Sequence, residues 1–178
     1  SFCHSVQNKW HLMSVMLSAT DSLNWYSQIT GQSVSKMISN ASKSKFCSSE
    51  VFFHPYLSGE RTPFNDANAR ASIMNISRAN SQDDIFKSIL EGVSFAFADC
   101  IQSLKNIGYN PQGLIATGGG SKSDYWLEMI STITETDILL PNDSEIGAAL
   151  GAAHLGMIAS GIKKETVFMS PKIKKSFH

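Results

Sequence analysis

The strongest pattern in the chain is a row of apolar positions between residues 85 and 104. Its members are Ile85, Ile89, Val93, Phe97, Ile101 and Leu104. Spacings of three and four residues place these side chains on one face of an α-helix, so the pattern predicts a long amphipathic helix. Ser81 or Asp83 can cap its start, and Gly108 can close its end.

Strand and helix patterns alternate after this helix. A short apolar run at 114–117 predicts a strand, and 122–134 predicts a helix. A second strand is predicted at 137–140 and a second helix at about 145–159. This order is typical of α/β packing, in which helices cover a sheet.

The first eighty residues show a more mixed pattern. Apolar residues at 10–17 can end a strand and then lead into a predicted helix that Gly31 ends, and a short surface helix is predicted at 34–42. A strand is predicted at 71–76. Before it, the apolar residues 51–53 lead into a stretch with Pro55, Gly59 and Pro63, which predicts a loop that is either a linker or a functional surface.

The amino-acid composition mainly excludes classes of partner and a membrane-spanning segment. The chain has 178 residues, 42% of them hydrophobic, which predicts one sizeable core. Lys plus Arg and Asp plus Glu each number 15, so no overall charge favours nucleic acid or a membrane surface as a partner. No apolar run reaches the ~20 residues of a membrane span. Cys3, Cys47 and Cys100 lack metal or disulfide spacing, which indicates free thiols and predicts a cytoplasmic location.

Three consecutive glycines, Gly118, Gly119 and Gly120, follow the strand predicted at 114–117 and precede a helix. Residues without Cβ let another molecule approach the main chain, and N–H groups at a helix start attract anions or polar rings. Nucleotides commonly bind at such turns. A simple turn produces the same pattern, so the triplet alone does not decide between the two.

Other catalytic signatures are missing. The five histidines are scattered, which leaves no metal-binding spacing and predicts no metal ligands in this chain. The sequence has no GxSxG elbow, no GxxxxGK[ST] loop and no GxGxxG turn. Aromatic residues do not alternate with a basic stripe, which argues against nucleic-acid binding.

Several blocks together resemble one family. They read FCHS at 2–5, WHLMSVMLSATDSLNW at 10–25, PYLSGERTPFND at 55–66, LEGVSFAFAD at 90–99, TGGGSKSDYW at 117–126 and EIGAALGAA at 145–153. In this order they resemble the C-terminal half of xylulose kinases, a group within the FGGY family of sugar kinases. The resemblance runs from about residue 2 to residue 161. One position departs: Asn75 stands where the family pattern has Gly, and Asn tolerates positive φ.

The resemblance implies an actin-like, ribonuclease H-like α/β domain with a partial sheet and helices on both faces. It implies a nucleotide-binding domain over residues 1–161 that lacks its first strands. The five lysines of residues 162–178 predict a basic, frayed tail, with an anion-binding arm as the alternative. The catalytic base, the sugar pocket, the magnesium-linked carboxylate and the phosphate turn would lie outside this chain. We therefore expect no catalytic residue here, and an inactive chain on its own.

The resemblance also implies an adenosine site. Its residues would be Gly118, Gly119, Gly120, Ser121, Asp124, Asn24 and Thr20. Asn is common in relatives at the position of Asp124, and the aspartate can only accept hydrogen bonds. Asn24 and Thr20 lie one turn apart on the first long helix, and a polar helix surface explains them equally well.

Two acidic residues of the GERTPFND block have structural interpretations. Glu60 is expected to form an ion pair with Arg61 that stabilises the loop, with a phosphate contact by Arg61 as the alternative. Asp66 is expected to form a turn or cap rather than a metal site.

The functional expectation is the ATP-binding part of a kinase that phosphorylates D-xylulose. The partners implied are ATP or ADP, magnesium held elsewhere, and D-xylulose bound through an N-terminal domain. One alternative is a kinase for gluconate or another sugar of the same family. A second is a noncatalytic actin-like interaction module, for which we expect a homodimer.

Overall fold

The computed structural model describes residues 1–43, 50–144, 147–163, 167 and 170–178. They form two compact units, Ser1–Pro111 and Gln112–His178. The boundary between the units falls inside the range 1–161 that the sequence predicts as one domain, and the extent of that domain stays a prediction. Residues 44–49, which include Cys47, and the start of the helix expected at 145 lie outside the described residues.

The first unit contains short antiparallel strand pairs and three helices. Its elements are β1 Phe2–Cys3, β2 Trp10–His11, α1 Ala19–Thr30, α2 Val34–Ala41, β3 Phe52–His54, β4 Ser72–Met74 and α3 Gln82–Asn106. Strand β1 pairs with β2, and β3 pairs with β4. The predicted helices and the β4 strand are confirmed, whereas β3 was not predicted. The β1–β2 pair was not predicted, because two-residue strands show no measurable alternation.

Helix α3 begins with a capping box. The backbone N–H of Asp84 donates to Ser81 Oγ over 3.2 Å, and Asp84 Oδ2 accepts the Ser81 N–H over 2.7 Å. The hydrogen bond from the Ser81 backbone holds the pKa of Asp84 below its ordinary value. Ser81 is therefore the cap, and Asp83 lies in the first turn. The helix ends at Asn106, and Gly108 follows with a φ of +85°.

The core of the first unit forms around α3. Ile89 and Val93 of the predicted apolar row are fully buried, and so is Phe86, which the predicted row does not include. At Gly92 a Cβ atom would lie 2.2 Å from the carbonyl oxygen of Phe53. Only glycine allows β3 to pass this close to the helix, which explains a glycine in a helix interior despite its cost of about 1 kcal/mol relative to alanine.

The second unit is an α/β arrangement. Its elements are β5 Leu114–Ile115, a 3-10 turn Gly119–Lys122, α4 Asp124–Thr134, β6 Ile138–Pro141, α5 Gly147–Ala159 and β7 Ile173–Phe177. Strand β6 lies in the centre of a three-stranded sheet, parallel to β5 and antiparallel to β7. Helix α4 buries Trp126 and Leu127, whereas α5 carries no buried residue.

The prediction of a frayed tail at 162–178 is wrong for residues 173–177. Ile173–Phe177 form β7, and Phe177 is only 5% exposed. Its carbonyl oxygen accepts a hydrogen bond of 3.1 Å from Ser131 Oγ in α4. The lysines suggested a solvated end, but backbone pairing with β6 and one buried phenylalanine order this segment.

No helix within the described ranges is both long and apolar enough to cross a membrane.

Candidate functional site

The glycine triplet forms a tight turn after β5. Gly118 has a φ of +86°, a conformation that side chains of L-residues disfavour. Its N–H donates to the carbonyl oxygen of Ser144 over 2.8 Å. Its own carbonyl oxygen accepts the Ser121 N–H at 3.1 Å and Ser121 Oγ at 2.7 Å. These bonds hold the turn in place, and they use the Gly118 N–H internally.

Gly119 is the exposed, open position of the turn. A Cβ atom built there would meet no atom within 4 Å, and its φ is not positive. Among the described residues, no acceptor receives the N–H groups of Gly119 and Gly120. The turn therefore leaves space and backbone donors on its outer side, as a flat polar ligand would require.

A cavity of about 520 Å³ lies beside this turn. Ser121, Lys122 and Asp124 form one wall, residues 140–144 form the second, and Lys174 of β7 completes the lining. Of the predicted nucleotide-binding residues, the structure thus brings Ser121 and Asp124 to one cavity. The three glycines adjoin the cavity along the chain but do not line it.

The cavity is lined by both positively and negatively charged side chains. Lys175 Nζ lies 2.7 Å from Asp124 Oδ2, with side-chain exposures of 49% and 58%. The same ammonium group lies 4.7 Å from the centre of the Phe177 ring. The sequence prediction assigned Lys174 and Lys175 to a solvated tail and left an anion-binding arm as the alternative. In the sequence, only the apolar Phe177 that follows these lysines indicated that the segment is ordered.

Thr20 and Asn24 lie on α1, in the first unit. Both side chains are exposed and one helical turn apart, as predicted. The glycine turn belongs to the second unit. A common site for these two residues and the turn stays a prediction.

The profile of the C-terminal domain of the FGGY family of carbohydrate kinases matches residues 1–160. The chain belongs to this family. Xylulose kinase from Escherichia coli strain K12 is 37% identical over 174 residues, which cover 97% of the chain and 36% of that protein. The crystal structure of a "xyloylose kinase" from Brucella ovis superimposes with a TM-score of 0.89 at 38% identity, covering 98% of the chain and 37% of that structure.

Gluconokinase from Bacillus subtilis is also similar, at 33% identity over 112 residues, covering 62% of the chain and 22% of that protein. The resemblance to the FGGY family and the actin-like α/β fold are therefore confirmed. The chain spans little more than a third of the E. coli xylulose kinase, at 36%.

Residues 59–62, the GERT segment of this FGGY chain, have a structural role that differs from the prediction. Glu60 is only 2% exposed, and its Oε1 accepts the backbone N–H of Arg61 at 2.6 Å and that of Leu17 at 3.3 Å. The expected side-chain ion pair with Arg61 does not occur among the described residues. Thr62 also exchanges two hydrogen bonds of 3.0 Å with the backbone of Val15. The segment thus anchors the chain that enters α1.

Two further predictions near this segment are confirmed. Asp66 Oδ1 accepts the Asn68 N–H at 2.7 Å, which is a turn contact. Asn75 adopts a φ of +61° and donates from Nδ2 to the carbonyl oxygen of Glu50 at 2.7 Å. Asn therefore takes the positive-φ position that the family pattern assigns to Gly.

Cys3 and Cys100 are free thiols, and Cys47 is outside the described residues. Burial raises the pKa of Cys100 to about 11. The nearby negative charges of Glu60 and Asp99 make a smaller contribution to this increase. A thiol with this pKa is protonated at neutral pH and therefore a poor nucleophile. Across the described ranges, no three His, Cys, Asp or Glu side chains are arranged to hold a metal ion.

Proposed function

We propose that the chain is the ATP-binding C-terminal part of a carbohydrate kinase that transfers the γ-phosphoryl group of ATP to D-xylulose, giving xylulose 5-phosphate. The observation that carries this proposal is the cavity of about 520 Å³ beside an open glycine turn in a chain of the FGGY family. The relatives named xylulose kinase support the choice of sugar.

The cavity fits an adenine nucleotide in size and chemistry. Ligand pockets usually enclose about 300–1,000 Å³ and place a few polar groups around apolar walls. Leu140 and Pro141 supply apolar surface, Ser121 and Asp124 supply polar atoms, and Lys122 and Lys174 supply positive charge. The space above Gly119 suits the edge of a purine or ribose ring.

The residues of this chain would bind and orient the nucleotide rather than perform chemistry on it. When bound, ATP supplies the phosphoryl group, and phosphoryl transfer depends mainly on positioning and charge neutralisation. We assign the glycine turn, Ser121 and Asp124 to the adenosine end, with Thr20 and Asn24 as further contributors. The magnesium ligands, the base and the sugar pocket belong to sequence outside this chain in our proposal.

The similarity to a gluconokinase favours a second candidate substrate. Both candidates need the same nucleotide site, and the residues that choose the sugar would lie outside this chain. The noncatalytic interaction module and its homodimer stay predictions.

Calorimetric titration of the 178-residue chain with ADP tests the nucleotide site. Gly119→Val places a branched side chain in the open space above the turn without a backbone clash, so we expect it to abolish ADP binding. Gly151→Val is the matched control, because Gly151 of α5 is also open and lies outside the glycine turn.

Binding in the micromolar-to-millimolar range that Gly119→Val removes and Gly151→Val retains is the expected result. No heat from the unmodified chain, or equal binding by both variants, would contradict the proposal.

A further inference from the structure

A second cavity, of about 380 Å³, lies beside the β3–β4 pair in the first unit. Its lining includes Trp25 of α1, Phe53 of β3 and Ile73 of β4. Leu57 and Arg70, from the loop that joins the two strands, complete the part of the lining that matters here. The volume is within the range of about 300–1,000 Å³ that is usual for pockets that bind small molecules.

The wall of this cavity is mainly apolar and aromatic. The rings of Trp25 and Phe53 stack, with their centroids 6.0 Å apart and an angle of 20° between their planes. Leu57 and Ile73 add aliphatic surface, and both are only half-buried, as is Trp25. An apolar ring gains free energy when such a surface removes it from water, and aromatic rings also attract one another. The wall therefore fits a flat aromatic group.

Among the described residues of the lining, Arg70 alone is charged. Its Nη1 donates hydrogen bonds to the carbonyl oxygens of Ala67 at 3.0 Å and Ala69 at 2.7 Å. These two bonds use both hydrogens of Nη1 and fix the direction of the guanidinium group. Its Nε and Nη2 have no hydrogen-bond or ion-pair partner in the part of the chain that the structure describes.

The free edge of this guanidinium group suits a carboxylate. Nε and Nη2 each direct an N–H outwards along the same edge, and two parallel N–H groups match the two oxygens of a carboxylate. No Asp or Glu is among the described residues of the lining, so no negative charge there opposes an anion. Because two backbone carbonyls already hold Arg70, little further ordering of its side chain is needed on binding.

We propose that this cavity binds a small aromatic carboxylate, with its ring against the apolar wall and its carboxylate on Nε and Nη2 of Arg70. The site is separate from the proposed nucleotide site and does not depend on it. A neutral aromatic molecule would cover the wall but give the guanidinium edge no charged acceptor. A carboxylate without a ring would satisfy that edge but bury no apolar surface.

Calorimetric titration of the 178-residue chain with three compounds tests the two parts of the site. The probe is 2-naphthoate, and 2-naphthamide and acetate each lack one of its two features. We expect 2-naphthoate to bind, the neutral amide to bind more weakly, and acetate to bind more weakly still, because it lacks the ring.

Variants of Arg70 test the guanidinium edge. For Arg70→Gln we expect roughly five- to twentyfold weaker binding of 2-naphthoate, as loss of a solvent-exposed, charge-assisted contact implies, and unchanged binding of 2-naphthamide. Arg70→Lys keeps the charge but not the pair of parallel donors, so it should restore only part of the affinity. Arg78→Gln is the matched control, because Arg78 is an exposed arginine of the segment after β4 and is not among the described lining residues.

Equal affinity of Arg70→Gln and Arg78→Gln for 2-naphthoate would overturn the role of Arg70. Equal binding of 2-naphthoate and 2-naphthamide by the unmodified chain would overturn recognition of the carboxylate. Acetate that binds as tightly as 2-naphthoate would overturn the role of the aromatic wall. If the unmodified chain does not bind 2-naphthoate, the whole site fails, and the proposed nucleotide site is unaffected.

Discussion

At the scale of single residues, Glu60 provides hydrogen bonds that water cannot supply. Its carboxylate is buried and accepts the N–H groups of Arg61 and Leu17, two segments far apart along the chain. A buried N–H group that loses its acceptor costs free energy, because no water replaces the lost bond. Glu60 therefore contributes to the stability of the first unit and to the position of α1.

We expect Glu60→Ala to lower the free energy of unfolding by about 2–3 kcal/mol, since it leaves two N–H groups unsatisfied and empties a buried volume. Glu60→Gln keeps one acceptor oxygen and should cost less. Urea denaturation followed by circular dichroism measures both. Exposed Glu128 on α4 supplies the control, because Glu128→Ala should change stability by no more than about 0.5 kcal/mol. A loss in Glu60→Ala no larger than in the control would show that this hydrogen bonding is unimportant.

At the scale of elements, α3 depends on the reciprocal cap between Ser81 and Asp84. Each residue accepts a backbone N–H from the other, which satisfies donors that a helix start otherwise leaves free. The contact favours the charged form of Asp84, so its pKa is lower in the folded chain than in the unfolded chain. Stability from this carboxylate is therefore present above the unfolded pKa and is lost as the pH falls through the folded value.

Asp84→Asn should reduce stability at neutral pH, by about 1 kcal/mol or less as is typical for exposed caps. The difference from the unmodified chain should shrink as the pH falls below the ordinary value of 3.8. Urea denaturation at neutral and acid pH measures this change. Asp83→Asn removes the same charge from the first turn but leaves the capping box intact. A difference between the two variants that does not vary with pH would refute the role of the Asp84 charge.

At the scale of the whole molecule, the chain forms two units and spans 36% of the E. coli xylulose kinase. A kinase must bring a nucleotide, a sugar and a base together, because phosphoryl transfer depends on their alignment. The candidate site described here accounts for the nucleotide alone.

We therefore expect the purified 178-residue chain to form no ADP from ATP when D-xylulose or gluconate is added. A coupled assay of ADP release measures this, and full-length E. coli xylulose kinase is the positive control. Steady, xylulose-dependent ADP formation by the chain would show that the base and sugar pocket are present in it after all.

Local patterns predicted most of the helices and the glycine turn. Helix α3 was found from one apolar face, and Gly31 correctly ended α1. The same patterns failed for β1 and β7, because short strands are stabilised by pairing with distant residues rather than by their own periodicity. The prediction that Glu60 pairs with the Arg61 side chain failed for a similar reason, since its second partner, Leu17, is 43 positions away.

The sequence by itself determined the helices, the turn at Gly118 and the membership of the FGGY family, because local spacing and motif order carry that information. Tertiary structure alone decided that Lys175 pairs with Asp124, that Lys174 lines the cavity beside the glycine turn and that residues 140–144 form its second wall. The physical reason is that each of these features requires the pairing of β7 with β6. Their residues are more than thirty positions apart, and no local pattern specifies which backbone groups will meet.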